Sequence, residues 1–437
     1  MTAARSVSER TIVLLVAAVQ FINILDFVMV MPMGPDFARA LGIPASNLGF
    51  IGGAYTAAAA VSGLAGSFFL DRFDRRHALG VAMLGLVFGT AMGGVATGMS
   101  TLLLARFVAG FFGGPATSIA LSIVADVVPP GRRGKAMGLV MGAFALASVV
   151  GIPTGLYLAT VLGWRAPFFA VAALGVIVAC GAVFFMPPMR GHLGARRQQP
   201  RLAQLVQNPN VLLSWTMTFV VMMGGFLLIP NISAYVQENL GYPRADLGKL
   251  YLFGGMVSLF ATQLAGRAVD RWGSFRSGTV GTGLLIIATF CGYVMVPPPW
   301  PVMAIFLSFF LAIAFRNVPY NTLTTRVPGA GERARFMSIQ SAVQNTAAAL
   351  GAFLSARLLS ELPDHKLVGM QRVAGLSIAL TAVLPIMLFI VERGVKRKEL
   401  SASAAPPNDP VTGLAVAGSS LAQPVSAAAR PLVGEPR

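Results

Sequence analysis

An aspartate stands inside an otherwise apolar stretch of the chain. Asp26 lies in INILDFVMVMPMG, residues 22–34, and the residues 11–33 around it are almost wholly apolar. A carboxylate near the centre of a membrane-spanning helix costs roughly 2.5–3.5 kcal/mol on insertion scales. Acids in such places usually face water or an opposite charge, and they often carry protons. We therefore interpret Asp26 as a candidate proton or substrate site, with Gln20 and Asn23 as polar neighbours on the same stretch.

Arg106 is the candidate partner for this carboxylate. At a helical rise of about 1.5 Å per residue, Asp26 lies about 22 Å from the start of its stretch at Thr11. Arg106 lies about 26 Å from the end of its own stretch near Ile123, which runs in the opposite direction. The two depths are similar, so the side chains can meet. Such a pair could be an exchangeable proton site, or a static ion pair that joins two helices.

The second half of the chain offers a buried cation instead of an acid. Arg316 and Asn317 lie in the apolar stretch 301–323, and no carboxylate lies well inside an apolar stretch of this half. Arg316 is about 22 Å from the first residue of its stretch. It could bind an anionic group of a substrate, or it could take part in the hydrogen bonds of a gate. The sequence favours neither of these roles.

The composition is that of a protein with many membrane-spanning helices. Hydrophobic residues make up 55% of the 437 residues and charged residues only 11%, whereas soluble domains carry about 25% charged residues. A spanning helix needs about 20 mainly apolar residues, and about twelve such stretches are present. They are 11–33, 47–69, 78–97, 101–124, 136–160, 165–187, 211–236, 246–268, 276–295, 301–323, 336–358 and 370–392. We therefore predict an all-α integral membrane protein.

The basic residues indicate how these stretches are oriented. The net charge of +17 does not point to a nucleic-acid partner, because the Lys and Arg residues lie in short loops between apolar stretches. They concentrate in every second loop, which places both termini in the cytoplasm by the positive-inside rule. We predict a six-helix bundle over 1–187, a central cytoplasmic loop over 188–210 and a second bundle over 211–392. A basic, disordered cytoplasmic tail follows over 393–437.

The two halves of the chain repeat each other. LDRFDRR at 70–76 corresponds to VDRWGSFR at 269–276, and VVPPGRRGKAMG at 127–138 corresponds to RVPGAGERARFMS at 326–338. The offset is the same in both comparisons. Duplicated bundles are typical of transporters, in which the substrate path lies between the two halves. The sequence therefore predicts two pseudo-symmetric six-helix bundles.

The loop after the second stretch resembles a motif of the major facilitator superfamily, G-x-L-x-D-R-x-G-R-R. In SFFLDRFDRR the matching residues are Asp71, Arg72, Arg75 and Arg76. Ser67 and Asp74 replace the two glycines of the motif. The second copy, GRAVDRWG, keeps both glycines, and its matching residues are Asp270 and Arg271.

Two further stretches are similar to the twelve-helix drug:proton antiporters of that superfamily. The fourth stretch has R-x-x-x-G followed by small residues, at Arg106, Gly110, Gly113 and Gly114. The fifth has a Gly/Pro-rich segment, AFALASVVGIPTG, with Gly151, Pro153 and Gly155. Its Gly and Pro are separated by Ile152, where the family has a Gly-Pro pair. The resemblance covers residues from about 11 to 392.

The resemblance implies a major facilitator fold that works by alternating access. Helices 1, 4, 7 and 10 would line the cavity, and protons would move inward as a solute moves outward. A small molecule, protons and the lipid bilayer are the expected partners. We expect a monomer in a bacterial-type cytoplasmic (inner) membrane, not an enzyme. Catalytic, metal and cofactor sites are not expected, since His77, His192 and His365 stand in no metal or nucleophile motif.

Asp71 and Asp126 lead to a separate hypothesis about gating. Carboxylates near helix N-termini and arginines near helix C-termini suit the helix dipoles. We expect these acids and the arginines of the loop motif to form a cytoplasmic latch, made in the outward-facing state and broken in the inward-facing one. For Arg75 and Arg76, anchoring by positive charge is an equally simple explanation.

Two transport functions are compatible with these residues. The first is proton-coupled efflux of a small apolar or cationic compound, which Asp26 and the fifth stretch favour. The second is transport of an anionic or sugar-like polar metabolite, which Arg106, Arg316 and Asn317 favour.

Overall fold

The computed structural model describes residues 7–129, 132–190, 205–329 and 332–404. The residues up to Arg393 form one compact unit. Those from Gly394 form a second unit, of which the structure describes the end of the last helix. Apart from one two-stranded hairpin, the described residues form helices joined by short connections.

Six long helices make up the first half. They are α1 (Glu9–Val30), α2 (Leu48–Phe69), α3 (Arg75–Gly94), α4 (Met99–Val127), α5 (133–162) and α6 (Ala166–Phe185). α5 consists of Arg133–Met141, Ala143–Leu146, a π-turn at Ala147–Gly151 and Ile152–Leu162. The short helix Gly34–Leu41 lies between α1 and α2.

Six more helices form the second half. α7 runs as Pro209–Leu228 and continues through shorter turns to Asn239. α8 (247–272) and α9 (274–289, extended by the π-turn Phe290–Val294) form one helical stretch that breaks at Gly273, where φ is 83°. The remaining helices are α10 (Val302–Arg326), α11 (Arg333–Leu358) and α12 (Met370–Ala382 with Leu384–Ala404). A hairpin of β1 (Ser360–Glu361) and β2 (Leu367–Val368) precedes α12.

The predicted number of spanning helices is confirmed. In the described part of the chain, ten continuous helical stretches are long and apolar enough to cross a membrane. One of them, Arg244–Val294, contains both α8 and α9. α11 is not among the ten, because Gln340, Gln344 and Asn345 make it more polar. The division at Gly273 and the addition of α11 give the twelve helices.

The last helix extends farther than the predicted end of its apolar stretch at 392. It continues to Ala404, and its final segment contains Lys, Arg, Glu and Leu, which favour helix. The predicted loop segment 191–204 and the tail segment 405–437 lie outside the described residues. The assignment of two bundles, a central loop and a tail to residue ranges stays a prediction.

Ion pairs join the two halves at one end of the molecule, where α1 leads to α2 and α7 leads to α8. We call it the closed end. The guanidinium of Arg244 donates to both carboxylate oxygens of Asp36, at 2.7 and 2.5 Å, and Arg39 pairs with Glu238. Glu361 accepts a hydrogen bond from the backbone N–H of Ala45. Every hydrogen bond or ion pair between the halves whose two partners are both described lies at this end.

The other end of the molecule is where α2 meets α3 and α8 meets α9. We call it the basic end, because the predicted basic loops lie there.

Candidate functional site

A buried ion pair connects α1 to α4. Arg106 Nη1 lies 3.0 Å from Asp26 Oδ1, and Nη2 donates to the backbone carbonyl of Asp26 at 3.3 Å. The side chains are 1% and 0% exposed. The depth count therefore placed the two residues correctly. An ion pair shielded from water in this way couples the positions of two helices, and it also leaves each partner dependent on the other.

Asp26 has a second partner that the sequence did not reveal. The hydroxyl of Thr90 on α3 lies 2.7 Å from Asp26 Oδ1 and 2.9 Å from the carbonyl of Leu86. Asp26 Oδ2 is buried and has no hydrogen-bond partner among the described residues. The side-chain contacts of Asp26 are thus gathered on one carboxylate oxygen, and the other oxygen makes no hydrogen bond to another described residue.

A hydrogen-bonded group lies one turn from the pair. Tyr55 on α2 donates to Asn23 Oδ1 at 2.6 Å, and Asn23 Nδ2 donates to the carbonyl of Gly113 at 2.9 Å. The Arg106 guanidinium stands over the Tyr55 ring, 4.7 Å from its centroid. A Cβ at Gly110 would meet the backbone carbonyl of Tyr55. The small residues of α4 therefore bring α1 and α2 close enough to surround Arg106.

The π-turn of α5 supports the same part of α1. A Cβ at Gly151 would clash with the side chain of Leu25, which precedes Asp26 in the chain. A Cβ at Gly155 would be 4.0 Å from Met29 Cβ. Pro153 follows the π-turn and cannot donate a helical hydrogen bond, so the irregular turn stands where the helix has lost a donor. The Gly/Pro segment thus packs against α1 and holds it in place.

Gln20 is buried on α1, and its Oε1 has no partner among the described residues. It lies six positions before Asp26, close to two turns of helix away. The structure brings Asn23 into the hydrogen-bonded group and leaves Gln20 outside it.

Arg316 lies apart from this group, on α10. Its side chain is buried, and its Nε and Nη2 donate to Oδ1 of the adjacent Asn317 at 3.1 and 3.0 Å. No carboxylate among the described residues is within ion-pair distance of Arg316. A Cβ at Gly281 of α9 would clash with the backbone of Phe315 and Arg316, so α9 packs directly behind this point of α10. The two predicted residues of the second half are therefore together, without an acid.

Aromatic rings meet where the halves approach each other between these two sites. Phe27, next to Asp26, lies 6.0 Å from Phe226 of α7 and 5.1 Å from Tyr55, measured between ring centroids. Phe226 directly follows Gly225, whose Cβ position is 3.7 Å from Arg316 Nη2. An apolar contact therefore lies between the ion pair of one half and the cation of the other.

The predicted gating residues at the basic end are only partly brought together. Arg75 is buried, and its Nε lies 3.2 Å from Asp126 Oδ2, while Arg76 Nη1 donates to the carbonyl of Met186 at 3.1 Å. These contacts go beyond anchoring by charge. The Arg72 side chain is exposed. The Asp71 side chain lies outside the part that the structure describes.

The second copy of the loop motif makes fewer contacts. Asp270 and Arg271 are both exposed, and no hydrogen bond to another described residue joins either side chain. The structure therefore does not bring Asp270 and Arg271 together as it does Arg75 and Asp126.

Asp74 was noted in the sequence only as a departure from the motif. Its Oδ1 accepts from the backbone N–H groups of Arg76 and Met189 at 3.0 and 3.1 Å, and its Oδ2 accepts from Arg190 Nε at 3.1 Å. Burial alone would raise the pKa of Asp74, but these hydrogen bonds together lower it below its ordinary value. An acid in place of glycine was the signal that could have singled out this position.

Comparison with known proteins fits this architecture. The model of the Major Facilitator Superfamily matches residues 16–352. The chain is 25% identical over 354 residues to the "Chloramphenicol resistance protein" of Streptomyces lividans, covering 80% of this chain and 89% of that protein. It is 28% identical over 202 residues to the "Uncharacterized MFS-type transporter YbcL" of Bacillus subtilis (strain 168). That match covers 46% of this chain and spans only about half, 51%, of the relative.

A solved structure has the same fold. It is a bacterial homologue of the human lysosomal transporter Spinster, in an inward-facing and unoccupied conformation, with a TM-score of 0.70 and 16% identity. The alignment covers 89% of this chain and 98% of that one. Since the family model spans most of the chain and the helices form the same fold, this protein belongs to the major facilitator superfamily.

Proposed function

We propose that this transporter exports a small, largely apolar organic compound in exchange for protons, across a bacterial-type cytoplasmic membrane. The observation that carries the proposal is the Asp26–Arg106 pair, a fully buried carboxylate held through one oxygen only. The similarity to a chloramphenicol resistance protein supports both an apolar compound as the substrate and export as the direction of transport.

Protonation of Asp26 would change what holds α1 against α4. The deprotonated acid attracts Arg106, whereas the neutral acid leaves a buried guanidinium without a counter-charge. An unpaired charge in an apolar interior is strongly unfavourable, so loss of the pair favours a conformation in which Arg106 meets water or another acceptor. Proton binding and helix movement are thereby coupled in this proposal.

The closed end supports a proposal for the transport state. The basic end faces the cytoplasm under the positive-inside rule, so the ion pairs of Asp36 and Arg39 lie on the outer side. Under this proposal the conformation is closed on the outer side. Asp26 has no exposed surface in it, and proton exchange therefore waits for a rearrangement.

The test is transport into inside-out vesicles under an imposed pH gradient, with chloramphenicol as the first substrate and a panel of neutral aromatic compounds beside it. Asp26→Asn keeps the oxygen that accepts from Arg106 but cannot exchange a proton. We expect it to abolish uptake driven by the gradient and to leave counterflow exchange of the same substrate. The control is Asp364→Asn, which changes an exposed acid of the β1–β2 turn.

Unchanged proton-driven uptake in Asp26→Asn, with Asp364→Asn equally active, would remove Asp26 as the proton site. Loss of counterflow together with uptake would assign Asp26 a structural role instead. If only organic anions are transported, the neutral-compound part of the proposal is wrong.

A second candidate substrate class is favoured by a specific observation. The buried cation Arg316 has no acidic partner among the described residues, which fits a substrate with an anionic or strongly polar group. The Asn317 amide beside it could accept or donate a further hydrogen bond to such a group.

A further inference from the structure

We propose that Arg316 is the recognition point for an anionic group, a carboxylate or a similar oxyanion, carried by a largely apolar substrate. The inference rests on the proposed transport function and develops its second candidate substrate class, which it specifies as an apolar body with one anionic group.

The first step is the balance of charge in the spanning helices. The positive charge of Arg106 is matched by Asp26 at 3.0 Å. Arg316 donates only to the neutral amide oxygen of Asn317, and its Nη1 forms no hydrogen bond with another described residue. Buried charges are normally paired, so a lone arginine in a transporter span is a site that awaits its counter-charge. A cationic substrate would meet repulsion here.

The second step is the geometry that holds the guanidinium. Gly281 of α9 packs directly against the backbone of α10 at Phe315 and Arg316, which fixes the position of the arginine backbone. Pro319, further along α10, packs beside Gly278 of the same helix α9. Asn317 fixes the orientation of the planar group through Nε and Nη2. A guanidinium fixed in this way can present its remaining N–H groups to a carboxylate at little further entropic cost.

The third step is the surface beside the guanidinium. Gly225 on α7 has no side chain, and a Cβ at this position would lie 3.7 Å from Arg316 Nη2. The next residue, Phe226, contacts Phe27 of the first half. An anionic group at Arg316 would therefore be attached to a body that reaches aromatic surface. This arrangement selects amphipathic acids over both hydrophilic anions and apolar cations.

The test is equilibrium binding of three probes with one ring system to the purified full chain in lipid nanodiscs, with empty nanodiscs as the blank. The probes are naphthalene-1-carboxylate, naphthalene-1-carboxamide and 1-naphthylmethylammonium. We expect the wild type to bind the carboxylate at least about tenfold more tightly than the carboxamide, as a charge-assisted pair allows, and the ammonium most weakly.

Substitutions then test whether the preference for the carboxylate probe arises at Arg316. Arg316→Gln is expected to weaken carboxylate binding by about tenfold or more and carboxamide binding by less than about threefold. Arg316→Lys should keep part of the preference. Gly225→Val keeps the charge but adds bulk over the guanidinium, so it should also weaken the carboxylate selectively. Arg372→Gln is the matched control, because it removes an exposed arginine of the same half.

A wild type that does not prefer the carboxylate overturns the proposal, and so does an Arg316→Gln variant that weakens all three probes alike. If Arg316→Gln does not fold, Gly225→Val decides, and unchanged carboxylate binding there is a refutation. Binding is measured without a pH gradient. A failure here is therefore distinguishable from a failure of proton coupling, which Asp26→Asn tests.

Discussion

At the junction of α2 and α3, the backbone N–H of Arg76 donates to the carboxylate of Asp74 at 3.0 Å. At the junction of α8 and α9, the N–H of Phe275 stands at the equivalent position of the repeat and donates to Glu392 at 2.5 Å. Glu392 comes from α12, not from the junction. The first N–H groups of a helix have no partner within the helix, so both copies need an acceptor. In the first half the acceptor belongs to the junction itself, and in the second half it belongs to the helix that packs against the junction.

The backbone explains why the residues at this position differ. Asp74 has a φ of −58°, which suits any residue and places its carboxylate over the first turn of α3. The equivalent Gly273 has a φ of 83°, and a Cβ there would be 2.8 Å from Glu392 Oε1. Only glycine adopts that conformation without strain. The first half departs from the motif because Asp74, at the position of the glycine, supplies the carboxylate itself. In the second half the glycine is kept, and Glu392 of α12 supplies the carboxylate.

The two junctions also tie the same pair of helices in each bundle. Asp74 reaches from the start of α3 to Met189 and Arg190, which follow α6. Glu392 reaches from α12 back to the start of α9. The cross-link is the same and its direction is reversed. A repeated fold can thus keep a contact while the residue that supplies it moves between helices.

Gly273→Ala should have the largest effect on this comparison. The substitution forces a left-handed conformation on an L-residue and crowds Glu392, so we expect a loss of about 1–3 kcal/mol in the free energy of unfolding. Chemical unfolding in detergent, followed by circular dichroism, measures it. Gly266→Ala is the matched control on α8, because nothing lies within 4 Å of its Cβ position. It should be neutral or stabilising by up to about 1 kcal/mol. Equal losses in the two variants would show that strain at Gly273 is not the cause.

Asp74→Ala should have the next largest effect on stability. It removes a helix N-cap and two contacts to the segment after α6, and we expect a loss of about 1–2 kcal/mol in the same unfolding assay. Asp74→Gly restores the motif residue but supplies no carboxylate, so it should not recover this loss. The double variant Asp74→Gly, Arg190→Glu places an acid after α6, as Glu392 lies on α12, and it tests whether this second arrangement restores stability. Full stability of Asp74→Gly alone would mean that the carboxylate contributes nothing.

The smallest effect is a dependence of stability on pH. The pKa of Asp74 is lower in the folded protein than its ordinary value of 3.8, so the folded state favours the charged form. Its contribution is fully present above that value and is lost as the pH falls through the lowered folded pKa. The difference in unfolding free energy between the wild type and Asp74→Asn should therefore shrink as the pH falls below about 3.8. A difference that grows below this pH would contradict the assignment.

The apolar stretches and the internal repeat of the sequence predicted most of the fold. Apolar stretches and the repeat gave twelve helices, and counting depth along α1 and α4 placed Asp26 beside Arg106. Thr90 and Tyr55 could not be found in this way, because a single hydroxyl in an apolar helix carries no signal of the direction it faces. Their roles depend on helix rotation, which packing between α2, α3 and α4 determines.

The contacts at the two junctions were also not predictable from the sequence. The sequence showed that Asp74 replaces a glycine, but the compensating contact with Met189 depends on where α6 ends. The partner of Phe275 was equally hidden, since Glu392 lies more than a hundred residues away in the chain. A tertiary contact between two helices of the same half is not visible from the local sequence of either helix.

The ion pairs of the closed end have a consequence for how the halves recognise each other. Asp36 and Arg39 are three residues apart on one short helix, and they face Arg244 and Glu238 of the other half. Each half therefore contributes one acid and one base. Separation leaves neither surface with a net charge from these groups, whereas a shift by one helical turn would oppose like charges. The charge pattern therefore favours a single register between the two halves at this end.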